Sequence, residues 1–337
     1  MKRISIKDIA KQAGVVPSTV SFVLNGKAKQ MRISNDLADR IKALAIETGY
    51  QPLQTAVSLR TGRTKTLGLI VEDISNVFFA SLAKCIEDEA YALGYKMVYC
   101  STENETKKGR ELLRMLTHQQ VDGYLITPAP GMTDDVRKLA ADHKPVVLMD
   151  RYFPELDVPY TLVDNYAGVQ QGMQHLIEKG YRNIAFVTVD LDQVQMAERE
   201  RAYRDVIKKE KLVSSKNLIY KLPYKQKADD AIEGIYQFLN SHPKIDAVFF
   251  ATNYIGIYGL ESIRKTGLSI PGDLAVLCFD DHDIFRMYTP AITVIKQPIE
   301  AIAQSAIRML MDQLEKRKPQ ENDEPLKKPE IIIRSST

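Results

Sequence analysis

Apolar residues in the first fifty positions recur at helical spacing in three short bursts. Ile6, Ile9, Ala10 and Ala13 follow the i, i+3, i+4, i+7 pattern of an amphipathic helix. Gly14 ends it, at a position where a left-handed residue is easily accommodated. A second pattern begins at Pro17, a residue suited to the first helical turn. Val20, Val23 and Leu24 share one face, while Ser18, Thr19, Ser21, Phe22 and Asn25 point elsewhere, and Asn25-Gly26 closes the segment. Ser34 can N-cap a third helix with Leu37, Ile41 and Leu44 inward and Gly49 at its end. Two short helices across a tight glycine turn predict an all-α helix-turn-helix unit over residues 1–50.

From residue 66 the pattern changes to short β-rich apolar runs separated by longer amphipathic segments. Strands are expected at Leu67–Val71, Lys96–Cys100, Gly123–Thr127, Val146–Met149, Ile184–Thr188, Ala247–Ala251 and Ala275–Phe279, with helical runs such as Phe78–Leu93 and Ala167–Lys179 between them. Such alternation builds parallel α/β units. Residues 66–337 suffice for two doubly wound lobes, the first expected at about 66–162 and 294–324 and the second at about 163–293 and 325–337. Ligands in such folds lie at the carboxyl ends of strands, which here means the cleft between lobes. Residues 51–65, opened by Pro52 and closed by Gly62, form a linker; Ala56, Leu59 and Arg60 stand at helical spacing in a segment too short to be stable alone.

Charge separates these parts further. Residues 1–65 carry 12 Lys/Arg against 4 Asp/Glu, whereas the rest carries 34 against 39. A basic head on an acidic body is the footprint of polyanion binding. The polar, largely uncharged face of the second helix suits phosphate oxygens and base edges, and the flanking cations suit counterion release. No run of about 18 apolar residues is present, so no membrane span is expected, and the start Met1-Lys2-Arg3-Ile4-Ser5 lacks a signal-peptide core, so a cytoplasmic protein is expected. Cys85, Cys100 and Cys278 make no C-x-x-C or zinc spacing and read as buried free thiols. The five histidines show no metal-ligand spacing, and neither G-x-G-x-x-G after a strand nor a P-loop occurs, so no cofactor, metal site or enzyme activity is expected. Asp281-His282-Asp283 reads as a polar loop, since adjacent residues do not make a triad.

Ile6-Lys7-Asp8-Ile9-Ala10, Ala13-Gly14-Val15, Ser18-Thr19-Val20-Ser21, Leu24-Asn25-Gly26 and Gly49-Tyr50-Gln51-Pro52 together resemble the headpiece of the LacI family of bacterial repressors. The likeness continues through Ile74-Ser75-Asn76-Val77-Phe78-Phe79, Val147-Leu148-Met149-Asp150-Arg151, Val163-Asp164-Asn165, Arg199-Glu200-Arg201-Ala202-Tyr203, Ala251-Thr252-Asn253, Phe279-Asp280-Asp281 and Gln297-Pro298 to the closing Ile333-Arg334-Ser335-Ser336-Thr337. It implies a core with the fold of periplasmic sugar-binding proteins. It also implies that Pro17, Ser18 and Phe22 face base edges, that Ser5, Thr19, Ser21, Asn25 and Ser34 contact phosphates, and that Ala56 and Leu59 belong to a hinge helix with Leu59 as a minor-groove wedge. By the same resemblance Phe78 and Phe79 stack on an effector, and Asp150, Arg199, Asn253, Asp280 and Gln297 hydrogen-bond it. Carboxylate, amide and guanidinium groups around an aromatic wall suit a polyhydroxylated ligand, a sugar or sugar derivative by default.

Several positions depart from the family pattern. Val16 stands where a Ser N-cap is usual, so a cap worth about 1 kcal/mol is missing. Phe22 stands where Arg is frequent; it cannot make a bidentate guanine contact but can touch a thymine methyl. Leu53 and Val57 replace polar residues of the hinge, Ala202 replaces a Gly, and Tyr254 replaces an Asp beside the effector. The resemblance implies a homodimer on double-stranded operator DNA, its affinity changed by a small-molecule effector with a coupling of about 1–3 kcal/mol. No heptad pattern follows the last strand, so a tetramer built on a C-terminal coiled coil is not expected. Two alternatives stay open: a nucleobase-responsive regulator, and a cytosolic small-molecule-binding protein with an incidental basic arm.

Overall fold

The computed structural model describes residues 4–50, 62–212, 218–318 and 324–337. They divide into two compact units, Met1–Lys65 and Thr66–Thr337.

The first unit holds helices α1 (Ile6–Ala13), α2 (Pro17–Leu24) and α3 (Asn35–Glu47). Ile9, Ala10, Ala13, Val20, Val23, Ala38 and Ile41 form its core, with Leu24, Leu37 and Leu44 packed at the margin. Ser5 and Asp8 make a capping box on α1: the Asp8 N–H donates to Ser5 Oγ and the Ser5 N–H to the Asp8 carboxylate at 2.8 Å. Such a box satisfies two donors that the helix itself leaves unpaired. Gly14 adopts φ 69°, the left-handed turn that lets α2 follow within three residues. The Arg40 guanidinium of α3 donates to the Ala13 carbonyl and so closes the far end of α1. Val16 is the N-cap of α2, and its side chain makes no cap hydrogen bond.

The second unit contains two six-stranded sheets. The first lobe runs β1 (Thr66–Val71), α4 (Val77–Ala92), β2 (Lys96–Ser101), α5 (Thr106–His118), β3 (Gly123–Ile126), α6 (Thr133–Ala141), β4 (Val146–Met149) and β5 (Tyr160–Val163). The second runs α7 (Asn165–Glu178), β6 (Ile184–Asp190), α8 (Val194–Lys209), β7 (Ile219–Pro223), α9 (Ala228–Ser241), β8 (Ala247–Phe250), α10 (Asn253–Thr266), β9 (Ala275–Phe279), α11 (Asp283–Met287) and β10 (Thr293–Lys296). The chain then returns through α12 (Ile299–Leu314) and β11 (Leu326–Lys327) to the first lobe and ends with β12 (Glu330–Ile332) in the second. The strand orders are β11-β5-β4-β3-β1-β2 and β12-β10-β9-β8-β6-β7. All pairs are parallel except β10 with β12. Strands β3, β4, β8 and β9 are buried along their whole length, because helices cover both faces of a parallel sheet.

The seven expected strands are present within two residues of their expected ends, but β5, β7, β10, β11 and β12 had no expectation. Each is only two or three residues long or is broken by a Thr or Lys, and so lacks the unbroken apolar run of the central strands. The lobe boundaries also shift. Residue 294 was expected to begin the return to the first lobe, yet β10 stays in the second sheet, with Val294 beside Cys278. Residue 325 was expected in the second lobe, yet β11 pairs Leu326 with Leu162 in the first. The crossings therefore fall at 297–298 and 328–329, since each strand completes its ladder before the chain leaves the sheet. No helix among the described residues is long and apolar enough to cross a membrane.

Candidate functional site

The doubly wound order places the carboxyl ends of both sheets on opposite sides of one cleft. Glu72 follows β1, Asp150 follows β4, Asn253 follows β8, Asp280 follows β9 and Gln297 follows β10. Phe78 and Phe79 come from the first turn of α4, and Arg199 from α8. All seven residues expected to meet an effector line one inner pocket of about 60 Å³. Asp150 and Asp280 turn the chain with φ of 64° and 70° directly after their strands. A side chain in that region is uncommon and costs about 1–3 kcal/mol, which the surrounding sheet must sustain.

Arg199 is the hub. It is 2% exposed, its Nε donates to Asn165 Oδ1 at 2.7 Å and its Nη1 to the Ala251 carbonyl at 2.6 Å. Its Nη1 lies 3.8 Å from Asp280 Oδ2, and Gln297 Nε2 donates to the other Asp280 oxygen at 2.5 Å. On the facing lobe Asp150 receives Arg151 Nε at 3.3 Å and, from across the cleft, Gln195 Nε2 at 3.4 Å. Phe78 and Phe79 meet edge to face with centroids 5.0 Å apart. Burial pushes both carboxyls above their ordinary value; Arg151 opposes this at Asp150, and Arg199 and Gln297 oppose it at Asp280. Burial also lowers Arg199, against the pull of Asp280 and Asp150. A donor-rich ligand placed here would therefore relieve under-solvated carboxylates.

Residues outside the expected set complete the cleft. Asn253 Nδ2 donates to Asn76 Oδ1 at 3.2 Å, Gln193 Nε2 to Asn104 Oδ1 at 2.9 Å, and the Tyr224 hydroxyl to Glu72 at 3.1 Å. Each bond joins one lobe to the other. Arg151 reaches Glu72 and Asn104 and holds two of those acceptors in place. The Gln195 Oε1 is buried and has no hydrogen-bond partner among the described residues. Asn76 stood in the sequence only within the Ile74–Phe79 family likeness, and in the structure it N-caps α4; Gln193 and Gln195 carried no local signal. Tyr254 lines the inner pocket, and burial and Glu72 push its hydroxyl up to about 12. Ala202 is fully buried in the cluster around Phe186 and Tyr203 and so fills core space.

The Asp281–Asp283 segment is structural: Asp281 holds Arg334, His282 N-caps α11, and Asp283 pairs with Arg286. Among the described residues no group of three or more His, Cys, Asp or Glu could hold a metal ion.

In the first unit Pro17 and Ser18 are exposed at the start of α2, while Thr19, Ser21 and Phe22 are half-buried along it. Exposed Asn25 folds back, its Nδ2 donating to the Ser21 carbonyl at 2.7 Å. Ser5 and Ser34 each sit at a helix N-terminus, Ser34 Oγ accepting from the Leu37 N–H. Ala56 and Leu59 lie outside the described residues.

Residues 5–53 match the bacterial regulatory proteins of the lacI family, and residues 173–337 match the periplasmic binding protein-like domain. The ribose operon repressor of Halalkalibacterium halodurans is 30% identical over 93% of this chain and 91% of its own. A solved lac repressor dimer bound to operator and the anti-inducer ONPF has the same fold, with a TM-score of 0.87, 20% identity and 99% coverage of both chains. The transcriptional regulator CelR in its cellobiose complex is 26% identical, with a TM-score of 0.70 over 99% of this chain and 100% of its own.

Proposed function

The chain belongs to the lacI family of bacterial regulatory proteins, and we propose that it is a sequence-specific repressor that binds operator DNA as a dimer and answers to a saccharide. One observation carries this reading: polar side chains from the ends of separate strands in both lobes converge with two phenylalanines on one closed cleft. Convergent donors and acceptors around an aromatic wall fit a polyhydroxylated ligand. The likeness to a ribose operon repressor and to a regulator complexed with cellobiose supports that ligand class. The exposed Pro17 and Ser18, with Phe22 behind them, read the operator, and Ser5, Thr19, Ser21, Asn25 and Ser34 meet phosphates.

The regulation is a linkage. A ligand that prefers one arrangement of the lobes changes the spacing of the two DNA-binding units of a dimer, with a coupling of about 1–3 kcal/mol. The bonds Asn253–Asn76, Gln195–Asp150 and Gln193–Asn104 are the contacts by which lobe closure is set. The protein acts in the cytoplasm, where both ligands are met.

Selection of bound duplexes from a random pool, repeated with sugars added, tests this. The expected result is a pseudo-palindromic site whose recovery changes with one of the sugars. Equal affinity for selected and random duplexes across a salt titration would exclude a specific regulator.

A further inference from the structure

Tyr254 stands in the first turn of α10 and lines two cavities at once. On one side is the inner pocket of about 60 Å³ around Arg199 and Asp280. On the other is an outer chamber of about 390 Å³. A liquid water occupies about 30 Å³, so the inner pocket has room for about two. Sites for small molecules run from about 300 to 1,000 Å³. Of the two cavities that Tyr254 lines, only the outer chamber is of ligand size.

Three tyrosines line it. Tyr254 and Tyr258 meet edge to face with centroids 6.0 Å apart, and the Tyr224 hydroxyl donates to Glu72 at 3.1 Å. Asn76 and Asn253 lie at the boundary with the inner pocket. Gln226 also lines the chamber, and its Oε1 is buried without a hydrogen-bond partner among the described residues. A buried acceptor of that kind calls for a donor from outside the chain. Tyrosine rings offer faces to the C–H side of a sugar ring and hydroxyls to its edge. Charge narrows the class. Glu72, Asp73 and Glu103 line the chamber, and Lys225 is already held by Glu105 at 3.1 Å and Glu103 at 3.9 Å. An anionic ligand would meet net negative potential there.

Resting on the saccharide reading above, we propose that the effector is a neutral glycoside of at least two sugar units, seated in the outer chamber against Tyr224, Tyr254 and Tyr258. One end reaches Asn253 and the inner pocket and the other reaches Gln226. A disaccharide matches the scale of a drug-sized ligand, and a lone hexose is about half of that. Tyr254 is the residue that moves binding outward, because its ring occupies the space beside Asn253 where a smaller carboxylate side chain would leave room for a ring against Arg199.

Titration calorimetry on the purified full chain tests this, with cellobiose, maltose, sucrose, lactose and trehalose set against glucose, galactose, fructose, ribose and glucose 6-phosphate. At least one disaccharide is expected to bind about tenfold or more tighter than its component monosaccharides and than glucose 6-phosphate. Tyr258→Ala is expected to weaken that disaccharide about tenfold while Tyr258→Phe keeps it, and Tyr254→Asp is expected to shift preference toward the monosaccharide. Circular dichroism establishes that each variant is folded. A monosaccharide bound as tightly as any disaccharide, or tyrosine variants that bind like the parent, would overturn the proposal while leaving the saccharide reading intact. Binding of none of the sugars would overturn the saccharide reading itself and the proposal with it.

Discussion

The Arg199 guanidinium lies over the Phe279 ring, its Cζ 3.6 Å from the ring centroid, while its edge donates to Asn165 and to the Ala251 carbonyl. A planar cation can cover a ring and bond in its own plane at the same time; an ammonium cannot. Arg199→Lys is therefore expected to lose about 2 kcal/mol of core stability, seen in the urea midpoint, despite the retained charge. Arg199→Ala is expected to abolish the change in operator affinity on adding effector while operator binding itself persists. A full response in Arg199→Ala would remove this residue from the ligand site.

Asp150 and Asp280 give the cleft a defined dependence on pH. Burial raises both carboxyls in the folded chain above the unfolded value of 3.8. The folded state thus holds these protons more firmly, so their contribution to stability is full below that value and is lost as pH rises through the folded pKa. Asp280→Asn has no such proton to lose. Its stability relative to the parent is expected to improve from pH 4 toward neutrality, measured by urea unfolding at stepped pH; a difference that stays flat or reverses would contradict the raised carboxyl.

Val16 holds extended N-cap geometry for α2, with φ −80° and ψ 151°, and is 61% exposed. A hydroxyl at this position can accept a hydrogen bond from the first turn, and little packing is lost. Val16→Ser is expected to stabilise the first unit by about 1 kcal/mol. Hydrogen exchange of the α2 amides in the full chain reads this directly, and unchanged protection would count against a missing cap.

Phe22 is half-buried on α2 beside exposed Ser18. Its ring can meet a thymine methyl, whereas Arg at the same place would bond guanine O6 and N7. Phe22→Arg is expected to change the preferred base at one position of each half-site in a selection from random duplexes. Recovery of the parent's operator would show that Phe22 packs rather than reads.

Long elements such as the central strand Ala275–Phe279, apolar throughout, were open to sequence periodicity. The polar residues beyond such strands, Asp150, Asn253 and Asp280, were reached through the family resemblance, since periodicity marks where a strand stops and not which side chain meets a ligand. Glu72, Gln193, Gln195 and Tyr224 stayed hidden, because their roles arise from partners 45 to 152 positions away. The edge strands β7 and β12 stayed hidden too, and so did β10 between β12 and β9, since three to five residues broken by a Lys, Glu or Thr carry little periodicity.

The amino-acid sequence by itself determined the three-helix unit and the alternation of strand and helix. Those features rest on local periodicity, capping and glycine geometry, which act over a few residues. Only the tertiary structure decided that Gln193, Gln195 and Tyr224 join the cleft, that amides from the two lobes bond across it, and that Tyr254 lines both a small inner pocket and a larger outer chamber. Those relationships depend on where two sheets meet, and that meeting is set by the summed packing of helices far apart in the chain.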